Sequence, residues 1–185
     1  MRILAAIGLI AIIVGIGAAA YFFGGFYSVA ATAEESGVIH WALTQVRSAS
    51  INHHAVDPVP AGLEDPAKIQ AGARLFATIG CVNCHGAPGI KWSKFSEGLR
   101  PDPPELKELV DHRPPSHLFW VIKNGINMTG MPAFARAAKD DELWSIVAFL
   151  KKLPIVSDSD YHGWAEPVPA AASPQPADNS PAPNK

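Results

Sequence analysis

The chain has 185 residues, a formal net charge of −2 and 48% apolar residues, with 17 prolines and only two cysteines. That length suits one ordinary domain with appendages. The near-neutral balance offers no basic stripe for nucleic acid, two cysteines cannot staple a disulfide scaffold, and the apolar share excludes a collagen-like or wholly disordered chain.

Residues 1–30 read as a membrane anchor. From Ile3 to Phe23 no residue carries a charge, and Tyr21, Phe22, Phe23, Phe26 and Tyr27 crowd the far end. A helix of that length spans roughly 31 Å, close to the ~30 Å hydrocarbon core of a bilayer, and aromatic side chains favour the headgroup level. The alternative is a cleaved signal peptide, because Ala31-Thr32-Ala33 fits a small-x-small cleavage pattern and is followed by Glu34-Glu35. The apolar run exceeds the ~7–15 residues of a usual signal core, which favours the anchor. Arg2 before the span and the two glutamates after it leave the N-terminus in the cytoplasm and export the rest.

Residues 31–62 form a linker. Val38, Trp41, Ala42, Val46 and Ala49 recur at mostly three- and four-residue spacing, the pattern of a short amphipathic helix over residues 37–51. Such a helix either lies on the membrane with Trp41 at the interface or is a plain connector. His53 and His54 follow. Without a further cysteine or a spaced carboxylate they read as surface residues rather than as a copper or second-haem site.

Residues 63–156 carry helical patterns broken by Pro and Gly, and no stretch alternates with a period of two, so the fold class is all-α. Asp65-Pro66 is a helix start, Ile69, Ala73, Phe76 and Ala77 share its apolar face, and Gly80 ends it. Short helices are expected over Pro104–Val110 and Ser116–Asn124. A last helix opens on Asp140-Asp141-Glu142 and closes on Lys151-Lys152, charges that complement its dipole.

The sequence Cys81-Val82-Asn83-Cys84-His85 is CxxCH, the attachment pattern of c-type haem. Two thiols at this spacing can form thioethers with the two vinyl groups of one haem edge, and the next imidazole then reaches the iron. A thioredoxin-like dithiol would need a βαβ setting, and a zinc site would need a fourth ligand. For the sixth iron ligand the candidate is Met131, set in a loop between Gly130 and Pro132; Met128 is its rival. Methionines are usually core filler, yet the only two beyond Met1 both sit in this one Gly/Pro-bracketed loop.

With those two ligand motifs in order, residues 63–154 resemble a class I monohaem cytochrome c of the bacterial, membrane-anchored type. Gly72, Phe76, Cys81-x-x-Cys84-His85-Gly86, Gly130-Met131-Pro132-Ala133-Phe134, Leu143-Trp144 and Ala148-Phe149-Leu150 carry the resemblance. It implies a cytochrome c fold enclosing one covalent haem c, with Cys81, Cys84, His85 and Met131 as cofactor-binding residues and His85 and Met131 as metal ligands. It also implies that Gly72 lets the first and last helices cross closely with Phe76 and Phe149 at the crossing. Phe149 stands where family members commonly carry tyrosine. A proline carbonyl, from Pro101, Pro103 or Pro104, is expected to accept a hydrogen bond from His85. Leu106, Trp120, Ile126 and Phe134 are expected to wall the haem.

The function so implied is one-electron transfer between periplasmic or inner-membrane redox proteins, as a free carrier or as a subunit of a respiratory oxidase or dehydrogenase, with no catalytic residues and no small-molecule substrate. The alternative is a haem enzyme or gas sensor with an accessible iron. From Asp65 to Pro154 there are 12 Lys/Arg against nine Asp/Glu, too small an excess to name a partner's charge. Lys91, Lys94 and Arg100 either steer docking or simply solvate a loop. Residues 157–185 are expected to be a disordered tail, since Ala165–Lys185 holds six prolines in 21 residues.

Overall fold

The computed structural model describes residues 1–33 and 36–166. Among these, the regular elements are α-helices and short 3-10 turns, with one isolated bridge between Ala87 and Ile90. The helices are α1 (Arg2–Phe23), α2 (Gly37–His54), α3 (Pro66–Thr78), α4 (Cys81–His85), α5 (Leu106–Leu109), α6 (Pro115–Asn124), α7 (Asp140–Lys152) and α8 (Asp158–Ala165). The chain divides into two units, Met1–Gln45 and Val46 onward.

In the first unit, α1 buries no residue and is long and apolar enough to cross a membrane, as an anchor or as a signal sequence. Tyr21, Phe22 and Tyr27 form an aromatic knot at its end, with Phe22 and Tyr27 ring centres 5.2 Å apart.

The second unit is built on the crossing of α3 and α7. Asp65 starts α3 by accepting the Ala67 N–H at 2.9 Å, and Pro66 occupies the first helical position, where it gives up no hydrogen bond. The buried face is Ile69, Gly72, Ala73 and Phe76. Gly72 lies on the Ser145 backbone of α7 so closely that a Cβ there would overlap the Ser145 carbonyl. This is the close crossing the sequence led us to expect, and Phe76 and Phe149 pack at it with ring centres 5.4 Å apart.

In α7 every residue from Leu143 to Leu150 is buried, so this helix is enclosed on all sides. Glu142 closes its first turn by accepting the Lys139 N–H at 2.7 Å. At its other end Lys151 does more than meet the dipole: it donates to the Val110 carbonyl at 2.7 Å and to that of Arg113 at 3.4 Å, tying α7 to the turn after α5. The α6 helix adds Leu118, Phe119 and Ile122 to the core, with Phe119 stacked flat on Trp144 at 4.1 Å.

Three features differ from the sequence reading. The α2 helix continues to His54, whose ring stacks on Trp120 at 5.9 Å, and Ala55 is buried, so the end of the assigned linker belongs to the folded unit. The helix expected over Pro104–Val110 is the single turn of α5 followed by a 3-10 turn, Val110–His112. The largest difference is α8, which occupies the start of the segment assigned to the tail. Ser157 caps it by accepting the Asp160 N–H at 3.1 Å, and Tyr161 is fully buried against Phe149. The domain therefore runs to Ala165. The rest of the expected tail, 167–185, lies outside the described residues.

Candidate functional site

Gly80 takes the left-handed conformation (φ +93°), ending α3 and turning the chain directly into α4. In that short helix Cys81 and Cys84 are three residues apart and share a face, with His85 next in turn. Gly86 then reverses the chain at φ +65°, and a Cβ there would stand 2.8 Å from the Ile90 carbonyl oxygen. Paired hydrogen bonds between Ala87 and Ile90 close the turn, and the Ser93 N–H returns to the Asn83 carbonyl at 2.8 Å.

The ring of His85 is fixed from across this loop. Its Nδ1 lies 3.1 Å from the Pro104 carbonyl oxygen. A carbonyl only accepts, so the proton sits on Nδ1 and the Nε2 lone pair is left for another partner. Of the three prolines between which the sequence could not choose, the structure selects Pro104. Burial lowers the His85 pKa, with the Pro104 hydrogen bond opposing it, so the imidazole is held neutral. Burial likewise pushes the Cys81 thiol up to about 12, an environment that disfavours a thiolate.

The other half of the candidate site is a loop slung between α6 and α7. Gly125, at φ +67°, passes so near Met131 and Pro132 that a Cβ would stand 2.7 Å from their backbone. The Ile126 N–H donates to the Met131 carbonyl at 3.1 Å, and Thr129 Oγ accepts from the Met131 N–H at 3.1 Å. Phe134 and Ala135 donate back to the carbonyls of Ile122 and Lys123. Gly130 sits against Leu99, whose Cδ1 would be 2.8 Å from a Cβ.

This scaffold separates the two methionines. Met131 is half-buried and packs on the core, whereas Met128 is 93% exposed. Cys81 and Met131, distant in sequence, border the same core. Leu106 and Phe134 also pack on it; Trp120 and Ile126 are half-buried, with Trp120 beneath His54. Lys91 and Lys94 are exposed, and Arg100 pairs with Asp102 at 2.9 Å.

The donor set fits a covalently held haem better than a bare ion. Among the described residues no three His, Cys, Asp or Glu side chains converge where an ion could sit. A site that keeps Cys81 uncharged suits a thioether, and His85 and Met131 offer a neutral nitrogen and a soft sulfur. Sequence reasoning missed one buried group near this site: the Tyr161 hydroxyl, which has no hydrogen-bond partner among the described residues. The signal available was Ser157-x-x-Asp160, a helix-start pattern.

The comparisons agree with the geometry. Residues 67–150 match the family model described as Cytochrome C oxidase, cbb3-type, subunit III. The match indicates a c-type monohaem cytochrome domain over that stretch; such a domain implies covalent haem c and supports haem-based electron transfer. No curated protein and no solved structure gave a match.

Proposed function

We propose that this chain is a membrane-anchored one-electron carrier. In this reading Cys81 and Cys84 would hold one haem through thioethers, His85 Nε2 and the Met131 sulfur would ligate its iron, and α1 would keep the cytochrome domain at the outer face of a bacterial inner membrane. The observation that carries it is the hydrogen bond from His85 Nδ1 to the Pro104 carbonyl at 3.1 Å, which leaves Nε2 free to bind a metal.

The haem, when bound, supplies an iron that cycles between ferric and ferrous. The chain sets the conditions. Pro104 orients the imidazole and raises its basicity, while the thioether of Met131 favours the ferrous state and so a higher potential. Backbone hydrogen bonds at Ile126 and Met131 hold the methionine loop. With His85 and Met131 both holding the iron, the site would leave no place on it for a substrate or oxygen.

Its place would be beside a membrane oxidase or dehydrogenase, as a subunit or as a tethered donor, with membrane redox proteins as partners; the family match supports the haem-based electron transfer that such a place requires. A tether raises the effective concentration of such partners without strong docking. The test is ligand access. The reduced wild-type protein should bind carbon monoxide slowly and incompletely at neutral pH. Met131→Ala should keep its covalent haem, show a lower midpoint potential and bind carbon monoxide at once. Met128→Ala should behave as wild type. Rapid, complete binding by the wild type would overturn the carrier reading, and an effect confined to Met128→Ala would move the ligand to that residue.

A further inference from the structure

Lys123 is engaged on three sides. It lies in the last turn of α6, where its carbonyl accepts the Ala135 N–H at 3.1 Å, just as the Ile122 carbonyl accepts that of Phe134. Its ammonium stands 5.2 Å from the centre of the Phe119 ring, and Phe119 in turn stacks on Trp144 of α7 at 4.1 Å. The same ammonium donates to Asp140 Oδ2 at 2.8 Å. Asp140 is the first residue of α7, so the ion pair joins the end of one helix to the start of the next. Residues 125–139 leave from one side of this clasp and return to the other, and Met131 lies between.

We propose that the Lys123–Asp140 ion pair is a positioning clasp for Met131: closed, it holds the base of the loop so that the Met131 sulfur stays on the haem iron. The proposal rests on Met131 as an iron ligand, as argued above. The hydrogen bonds of Ile126 and Met131 within the loop set its shape, whereas the clasp sets how readily the loop as a whole lifts away. An exposed ion pair adds little to global stability, and the Asp140 side chain is 60% exposed against 29% for Lys123. A loop, however, opens locally at far smaller cost than the whole domain. A modest contribution at its base is a large share of that cost, so breaking the pair multiplies the excursions in which the sulfur leaves the iron. Lys123 suits the task, because a lysine already seated over Phe119 has less side-chain freedom to lose in pairing than one on open surface.

The experiment uses full-length holoprotein in detergent and compares wild type with Lys123→Gln, Asp140→Asn and the variant that carries both changes. Haem staining on a denaturing gel comes first, then the far-red ferric absorption band that reports a thioether on haem iron. With that band present in wild type, carbon monoxide should bind each reduced single variant about 1.5- to 5-fold faster than wild type. The double variant should be no faster than either single one, because the two side chains act as one unit. Hydrogen exchange in peptides covering residues 125–138 should quicken in the same variants. Wild-type rates in both single variants, or effects that simply add in the double variant, overturn the proposal. So does a lowered denaturant midpoint with an unchanged carbon monoxide rate, the mark of a merely structural pair. A wild type that carries haem but lacks the thioether band overturns the parent reading of Met131 and this proposal together.

Discussion

Gly72 and Tyr161 show how much of this domain depends on single atoms. At Gly72 a methyl group would have to share space with the Ser145 carbonyl, which belongs to a helix backbone and cannot swing away. Gly72→Ala should therefore push α3 and α7 apart and cost about 1–3 kcal/mol or more, measured by denaturant unfolding of the holoprotein. Tyr161 gives a pH dependence. Burial, reinforced by Cys81, raises its pKa above the ordinary value near 10. The folded protein keeps the phenol proton where the unfolded chain releases it. The stability tied to this group is whole below about pH 10 and is lost as pH climbs through the raised pKa. Between about pH 9 and about pH 11, Tyr161→Phe should lose less stability than wild type, with denaturant midpoints as the readout.

At the level of elements, α8 closes the second unit, and the sequence offered little to announce it. The segment Asp158–Ala165 has only Tyr161 and Trp164 as large apolar residues, a three-residue spacing too sparse to read as a helix face. Its stability comes from the Ser157 cap and from burial against Phe149, and the second of these is invisible without the fold. A chain ending at Val156 should lose about 3–5 kcal/mol, on the scale of deleting a buried aromatic side chain, and melt correspondingly earlier in a thermal scan of the holoprotein. Elements with strong local signals were legible: Asp65-Pro66 opening α3, Gly80 closing it, and the acidic start of α7. So was the grouping of Cys81, Cys84 and His85, because it is local in sequence and one short helix carries all three. The choice of Pro104 was not legible. Pro101, Pro103 and Pro104 have equivalent carbonyls in sequence, and only the return of the chain over α4 selects one. The stacking of His54 on Trp120 was hidden for the same reason, since it joins residues that no local pattern relates.

For the whole molecule, the state of α1 decides whether the cytochrome domain is tethered or diffusible. Its 22 residues are long and apolar enough to serve as a retained anchor or as a signal sequence. A haem-stained denaturing gel of carbonate-washed membranes should show a full-length haem band; a shorter band in the soluble periplasmic fraction would mean cleavage near Ala33 and a diffusible carrier. The enclosure of α7 has one more consequence, and it concerns time. Residues Leu143 to Leu150 come well after α3 and α4 in the chain, and the apolar face of α3 has little to pack on until they arrive. Domains consolidate as units, in the order the ribosome delivers their parts. Cys81 and Cys84 therefore leave the ribosome, and cross the membrane in the exported topology proposed here, ahead of the helix that completes the core on which Cys81 packs. In that interval both thiols stand open in a loose chain, and the arrival of α7 ends it.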